Sequence, residues 1–149
     1  MTPGRGRELA TFDDLAVGQR GTWSKTVTDA DVALFVAVSG DANPLHTDEE
    51  LARRTFFGGR IAHGMLTASL LSAAVGMVLP GTGAIYRSQT LEFLRPVRPG
   101  DTLTAYVEVD GLDREANRVV MTTWIDNQRG ERVLQGHAVL SLIRGLAGG

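Results

Sequence analysis

The 149-residue chain contains no cysteine and no large excess of charge of either sign. Without cysteine it can form no disulfide, no thiolate metal site and no cysteine nucleophile. Its 15 Lys and Arg residues and 17 Asp and Glu residues leave a formal net charge of -2, so no basic field attracts nucleic acid. The length is typical of one domain that buries a full hydrophobic core.

Long hydrophobic runs are absent as well. The first residues, MTPGRGRELATFDD, contain no apolar stretch of the kind found in a signal peptide. The most apolar stretch, residues 65–79, is interrupted by Thr67, Ser69, Ser72 and Gly76, so we do not expect it to cross a membrane. These observations predict a cytoplasmic protein.

The two ends of the chain differ from the rest in composition. Residues 1–11 are rich in Gly, Arg and Pro, and residues 145–149 are rich in Gly, so they offer few side chains for burial. We expect both ends to be flexible tails. A single domain over residues 12–144 is predicted between them.

Capping signals define the first predicted helices. Residues 20–28 alternate in the manner of a strand. The next segment, TDADVALFVAVSG, has Thr28 and Asp31 at capping-box spacing and Gly40 at its end, which predicts a capped helix. In HTDEELARR, the S/T-x-x-E spacing of Thr47 and Glu50 predicts a short second helix that begins just after the histidine.

A longer helix and a set of strands are predicted next. Residues 65–79 read as a helix ended by Pro80 and Gly81, with small residues that would let a sheet approach closely. From Ala84 onward, apolar residues recur at every second position in four runs, which predicts four strands. The runs contain Leu91 and Phe93; Leu103, Ala105, Val107 and Val109; Val119, Met121 and Thr123; and Leu134, Gly136, Ala138, Leu140 and Leu142. This order predicts an α+β domain with an antiparallel sheet of about five strands and one buried helix.

The segment GDANPLH contains the first candidates for chemistry. Pro44 disfavours regular helix before it, so a tight loop can bring the side chains of Asp41 and His46 together. A carboxylate and an imidazole in one cleft can hold a water molecule and move its proton near neutral pH. The alternative is a simple turn, in which Asp41 caps backbone amides and His46 is exposed. Both interpretations fit the residue types.

The segment AHGM at the start of the long helix contains a second candidate. The amide of Gly64 can receive an oxygen that gains negative charge, because unpaired amides and the helix dipole meet there. The alternative is a joint between loop and helix, with His63 as a partly buried residue that makes one hydrogen bond.

Ser72 and Asn43 are supporting candidates. Ser72, two turns beyond Gly64, can bond a cleft group such as Asp41, or it can bond back into its own helix. Asn43 can position the loop or the water, and an Asx turn explains it equally well.

The sequence has no pattern typical of a metal or nucleotide site. His46, His63 and His137 form no H-x-x-x-H pair. Neither a G-x-S-x-G elbow nor a Walker lysine loop occurs. We therefore expect no metal ion, no serine hydrolase and no nucleotide phosphate site.

The segment FVAVSGDANPLHTDEELARRTFFGGRIAHGM closely resembles the hydratase signature of the MaoC-like family, the R-specific enoyl-CoA hydratases. In that signature a G-D-x-N-P-[LIV]-H segment is followed by an H-G-M segment that opens the central helix. The similarity extends to FDDLAVGQ near the start and to LEFLRPVRPGDTL from Leu91 to Leu103, so it covers nearly the whole chain.

The resemblance implies a hot-dog fold, in which an antiparallel sheet wraps a long central helix, and a homodimer or higher homo-oligomer that joins sheets edge to edge. It implies reversible syn hydration of trans-2-enoyl-CoA to the (R)-3-hydroxyacyl product. Carried over, Asp41 and His46 share the water and the Gly64 amide holds the thioester oxygen. Ser72 matches a family serine near the aspartate. No separate cofactor is implied, because coenzyme A is part of the substrate.

Other functions stay open at this point. A dehydratase would run the same site in reverse on 3-hydroxyacyl thioesters, including those bound to acyl carrier protein. A thioesterase or a module that binds acyl thioesters without chemistry would use the same scaffold. Four arginines, Arg54, Arg60, Arg87 and Arg95, could meet carrier phosphates, although surface arginines are ordinarily solvated.

Overall fold

A computed structural model of the protein describes residues 8–145. Residues 1–7 and 146–149, which make up most of the two predicted tails, lie outside the described residues, and the predicted domain limits stay predictions. Near the start of the described range, the amide of Ala10 donates to the carbonyl oxygen of Thr82 at 2.8 Å. Within residues 8–145, no helix has both the length and the apolar character needed to cross a bilayer.

Over residues 8–145, one strand is followed by a group of helices and then by five strands. The helices are α1 (Asp29–Ser39), α2 (Pro44–Thr47), α3 (Glu49–Arg53) and α4 (Gly64–Ala73), and a turn of 3₁₀ helix covers Phe12–Asp14. The strands are β1 (Arg20–Thr26), β2 (Ala84–Gln89), β3 (Glu92–Phe93), β4 (Thr102–Asp113), β5 (Arg118–Asp126) and β6 (Arg132–Leu142). This order confirms the predicted α+β class.

All six strands belong to one antiparallel sheet. Their order is β1-β4-β5-β6-β2, and β3 also pairs with β6. The helix α4 packs on one face of this sheet and buries Leu66, Leu70 and Leu71 in the core. The predicted apolar positions of β4 face the same core and are at most 1% exposed: Leu103, Ala105, Val107 and Val109. The helix is therefore central, as predicted.

The sheet has six strands where the sequence predicted about five, because its last edge is divided between β2 and β3. The sequence of β2, AIYRSQ, is mostly exposed and therefore lacks the apolar alternation that marks a buried strand. Between the two strands, the amide of Thr90 donates to the carbonyl oxygen of His137 at 2.8 Å. The Thr90 hydroxyl accepts from the His137 amide at 2.9 Å. The chain thus stays bonded to β6 across the division.

The predicted ends of α1 are confirmed. The Thr28 hydroxyl accepts from the amide of Asp31 at 3.1 Å, and the Asp31 carboxylate accepts from the amide of Thr28 at 2.9 Å. This backbone hydrogen bond lowers the pKa of the Asp31 carboxyl. At the other end Gly40 has a φ of 81°, which favours glycine. The helix delivers the chain directly to Asp41.

The predicted position of His46 before a helix is wrong. His46 lies inside the short helix α2, which begins at Pro44. Proline suits the first position of a helix because its missing N–H would have no partner there. The side chain of Asn43 caps this helix by accepting from the amide of Leu45.

The predicted capping box at Thr47 is wrong as well. The next helix, α3, is capped by Asp48, whose carboxylate accepts from the amide of Leu51 at 3.1 Å. The Thr47 hydroxyl donates back to the carbonyl oxygen of Ala42 at 3.2 Å. The side chain of either Thr47 or Asp48 could cap α3. Because Thr47 belongs to α2, Asp48 provides the cap.

The predicted long helix is present with two differences. It begins at Gly64, one residue before the predicted start. After Ala73 the chain continues in π-helical geometry over Ala74–Val78, ahead of Pro80 and Gly81. Gly64 consequently provides the first amide of α4.

The contact between β6 and Thr90 predicts a strong effect at Gly136. A Cβ atom on Gly136 would lie 1.8 Å from the carbonyl oxygen of Thr90, and no side-chain rotation relieves a clash with backbone. We expect Gly136→Ala to lower the free energy of unfolding by about 3 kcal/mol or more, measured by urea denaturation. The matched control is Gly76→Ala, whose Cβ would have no heavy atom within 4 Å. Equal stability of the two variants would contradict this packing.

Candidate active site

The loop between α1 and α2 is held by its own side chains. The amide of Asp41 donates to Ser39 Oγ at 3.1 Å, and the amide of Asn43 donates to Asp41 Oδ1 at 3.1 Å. Asn43 Oδ1 in turn accepts from the amide of Leu45 at 3.0 Å. One carboxylate oxygen of Asp41 therefore stabilises the turn, while the other, Oδ2, faces His46. The turn interpretation of Asp41 thus fits Oδ1, and the interpretation in which it shares a cleft with His46 fits Oδ2.

The imidazole of His46 has a defined orientation. Its Nδ1 lies 2.8 Å from the carbonyl oxygen of Ile61. Because a carbonyl only accepts, the proton is assigned to Nδ1, and Nε2 keeps its lone pair. Nε2 lies 4.0 Å from Asp41 Oδ2, too far for a direct hydrogen bond and suitable for one bridging water. The Asp41 side chain is 52% exposed and that of His46 is 11% exposed.

His63 contacts both members of this pair, which the sequence did not indicate. Its Nε2 donates to the backbone carbonyl oxygen of Asp41 at 2.9 Å. Its ring stacks on that of His46, with centroids 3.8 Å apart and planes inclined by 29°. Phe35 of α1 also contacts the His63 ring, with centroids 4.7 Å apart. His63 is only 2% exposed, so it lies beneath the pair.

Gly64 follows His63 directly and is the first residue of α4. The His63 side chain makes no capping hydrogen bond, which leaves first-turn amides for an oxygen of a bound molecule. A Cβ on Gly64 would lie 2.8 Å from a ring carbon of Phe93, so glycine allows this ring to pack against the helix start. Phe93 is half-exposed. The amide of Gly64 thus lies beside the residue that contacts both Asp41 and His46.

Arg60 links the elements that surround the loop. Its guanidinium donates to Asp29 at 2.7 Å, to Glu49 at 3.1 Å and to the carbonyl oxygen of His46 at 3.4 Å. The hydrogen bond to Asp29 raises the pKa of the Arg60 guanidinium. Arg60 therefore acts as a structural link in this chain.

Ser72 does not bond to Asp41 or His46 among the described residues. It is exposed on α4, eight residues after Gly64, or about 12 Å along the helix axis. No hydrogen bond in this part of the chain connects it to Asp41. Asn43 serves the backbone of the loop through its bond to Leu45.

A cation could be considered between Asp41, His46 and His63, whose potential ligand atoms lie within 4.8 Å of one another. A metal ion binds in the plane of an imidazole ring, and these two rings are stacked rather than convergent. One nitrogen of each ring also faces a backbone carbonyl oxygen. The geometry therefore fits a water molecule between Asp41 and His46 better than an ion shared by all three.

The arrangement combines three chemical abilities. The free Nε2 of His46 can take a proton, and Asp41 Oδ2 can accept a hydrogen bond from the same water. The first amides of α4 can stabilise negative charge on a carbonyl oxygen. Together these groups suit the addition of water to a bond conjugated with a carbonyl.

Comparison with known proteins identifies relatives of most of the chain. The family model described as MaoC like domain matches residues 17–131. The (R)-specific enoyl-CoA hydratase of Rhodospirillum rubrum is 45% identical over 132 residues, covering 89% of this chain and 91% of the relative. The 3-hydroxybutyryl-CoA dehydratase of Methylorubrum extorquens is 44% identical over 133 residues, covering 88% and 83%.

Solved structures share the architecture. An R-hydratase from Pseudomonas aeruginosa in the unliganded form matches with a TM-score of 0.86 and 44% identity, covering 92% of this chain and 88% of that one. The (R)-hydratase of Aeromonas caviae involved in PHA biosynthesis matches with a TM-score of 0.83 and 46% identity, covering 87% and 98%. The sheet around α4 is therefore the hot-dog fold that the resemblance predicted.

Proposed function

The chain belongs to the MaoC-like domain family, and we propose that it is an (R)-specific enoyl-CoA hydratase. It adds water reversibly to trans-2-enoyl-CoA and forms (R)-3-hydroxyacyl-CoA. The relatives at 45% and 44% identity are named for a hydration and a dehydration, and both names support a hydro-lyase.

The observation that supports this proposal most directly is the 4.0 Å separation of His46 Nε2 and Asp41 Oδ2. A water molecule at hydrogen-bond distance from both atoms fits this separation. The carbonyl of Ile61 orients the imidazole, so its unprotonated nitrogen faces the water. The carboxylate accepts a hydrogen bond from the second O–H of the same water. The water is thereby oriented with an oxygen lone pair free to attack.

In the hydration step the water oxygen bonds to C3 of the enoyl group while one O–H bond breaks. His46 Nε2 takes the released proton. Asp41 accepts a hydrogen bond from the remaining O–H, which stays on the new hydroxyl, and stabilises the imidazolium. A proton is then returned to C2 from the same side, which gives syn addition. Asp41 and His46 both face this water, so we assign the transferred proton to the pair rather than to one residue. The atoms balance without a redox partner or another cofactor.

The thioester oxygen is held by the Gly64 amide. When water adds to C3, electron density moves through C2 onto this oxygen. The amide and the dipole of α4 favour that charge. Asn43 supports the site through the loop, and Ser72 stays a supporting candidate for contact with the substrate.

Coenzyme A is the carrier we propose. Three of the candidate arginines already have acidic partners: Arg54 pairs with Glu50 at 3.0 Å, Arg60 with Asp29 at 2.7 Å and Arg95 with Glu131 at 3.4 Å. Arg87 donates to Ser141 Oγ at 2.9 Å. A dehydratase acting on carrier-protein substrates is the alternative, since it uses the same site in reverse. A thioesterase would instead release a free thiol, which a colour assay detects.

We propose further that two copies of the chain form a homodimer through β2. Among residues 8–145, this strand pairs only with β6, and its other edge has no strand partner. Ile85 is 41% exposed and Tyr86 is 36% exposed there. The opposite edge strand, β1, carries Arg20 and Lys25, and charged side chains discourage edge pairing. The one charged residue of β2, Arg87, is held by its hydrogen bond to Ser141 of β6. The β2 edge therefore fits a second copy better.

Removal of either catalytic group should abolish hydration. We expect Asp41→Asn and His46→Gln each to lower kcat about 10²- to 10⁴-fold, the usual contribution of general acid–base catalysis. The assay follows the enoyl thioester absorbance of crotonyl-CoA, and circular dichroism checks the fold. Matched controls are Asp13→Asn and His137→Gln, both at exposed positions. Near-normal rates in either folded site variant would overturn the proposed chemistry.

The dimer proposal predicts an effect of charge on β2. The wild-type chain should sediment at about twice its 16.0 kDa mass or a larger multiple. Ile85→Lys should weaken association at least 10-fold, because the lysine would have to be desolvated at the edge. The control Val17→Lys changes an apolar residue that is 65% exposed before β1. Wild-type association in the Ile85→Lys variant would exclude this edge.

A further inference from the structure

We propose that His63 is a positioning residue, which sets the geometry of the Asp41–His46 pair without touching the substrate. Its kinetic test rests on the proposed hydratase function, while its structural test does not. His63 is 2% exposed, so it contacts Asp41 and His46 from inside the protein and not from the solvent-accessible side.

The segment Ile61–His63 binds both ends of the loop that contains the pair. At one end His63 Nε2 donates to the carbonyl oxygen of Asp41 at 2.9 Å. At the other end the carbonyl oxygen of Ile61 accepts from His46 Nδ1 at 2.8 Å, and its amide donates to the carbonyl oxygen of Leu45 at 3.1 Å. The distance between Asp41 and His46 therefore depends on one short segment.

The core holds this segment in turn. Between the two anchoring residues, the amide of Ala62 donates to the carbonyl oxygen of Val97 at 2.7 Å. The carbonyl oxygen of His63 accepts the Thr67 amide at 3.1 Å in the first turn of α4. Both links are made by backbone groups in buried residues. The segment is thus fixed to the core and to the central helix, and it restrains the loop in turn.

The bonding of His63 assigns one tautomer. Nε2 faces a carbonyl oxygen, which only accepts, so Nε2 carries the hydrogen. Nδ1 is buried without a hydrogen-bond partner among the described residues. The buried ring therefore acts as a fixed donor to the backbone of Asp41.

The stack on His46 is the second means of positioning. With centroids 3.8 Å apart, the His63 ring limits the tilt of the His46 ring on that side. The hydrogen bond from His46 Nδ1 to Ile61 limits rotation within the ring plane. Both restraints keep Nε2 directed at Asp41 Oδ2.

Two substitutions separate the hydrogen bond from the stack. His63→Phe keeps a ring against His46 and removes the donor to Asp41. His63→Gln removes the ring and keeps an N–H donor of similar reach. We expect His63→Phe to lower kcat for crotonyl-CoA about 10- to 100-fold, as for displacement of a catalytic group by about 1 Å, with KM changed less than about threefold. His63→Gln keeps the donor and loses the stack, so its kcat should lie between those of His63→Phe and wild type, and the exposed control His137→Gln should match wild type.

A measurement without substrate tests the same assignment. In ¹⁵N-labelled wild-type protein, histidine ring spectra should show His63 protonated at Nε2 and unprotonated at Nδ1, with slow exchange of the Nε2 hydrogen. An Nδ1–H tautomer or rapid exchange would overturn the proposal, and so would full kcat in folded His63→Phe. Equal loss of kcat in the folded Phe and Gln variants would also overturn the role of the donor.

The two proposals fail in different ways. Wild-type protein without hydration of crotonyl-CoA would refute the proposed function, and the ring spectra would still decide the assignment of His63. If His63→Phe does not fold, the comparison of His63→Gln with wild type and the ring spectra decide it. Active wild-type protein with the wrong His63 tautomer would refute the positioning proposal alone.

Discussion

The attachment of one loop to the segment Ile61–His63 is the constraint on which the candidate site depends. A free loop containing Asp41 would sample many separations between its carboxylate and His46. This segment makes two hydrogen bonds to the loop: His63 donates to the backbone of Asp41, and Ile61 accepts from the ring of His46. Together they fix the separation of 4.0 Å between the two side chains. A preorganised pair of this kind lowers the cost of orienting water during the reaction. The proposed chemistry thus depends on two segments that are distant in sequence.

The fold explains why that segment can act as a support. It leads directly into α4, whose apolar face is buried against the sheet, and it bonds to the backbone of Val97 before β4. The start of α4 therefore combines a mechanical and an electrostatic role. The same residues that hold the loop also place the Gly64 amide beside the pair. In the proposed reaction, this helix end, buried in the core on one side, provides both the donor to the thioester oxygen and the support for the Asp41–His46 pair.

Local signals allowed much of this to be predicted from the sequence. The Thr28 and Asp31 cap, the stop at Gly40 and the start near Gly64 follow from short-range hydrogen bonding and backbone geometry. The edge strand β2 is mostly exposed, so its sequence carried no burial pattern. The cap of α3 is Asp48 and not the predicted Thr47, because Thr47 belongs to the helix α2 that begins at Pro44. The stack of His46 on His63 joins residues 17 positions apart, and only tertiary packing creates it.

In the proposed reaction, one water, held by one carboxylate and one imidazole, adds to a single face of the double bond. This can be tested by hydrating crotonyl-CoA in D₂O and analysing the product by NMR at early conversion. Syn addition should give one diastereomer of 3-hydroxybutyryl-CoA, with R configuration at C3 and deuterium at C2 on the side of the new oxygen. A product from anti addition, a mixture at C2 or S configuration at C3 would contradict it.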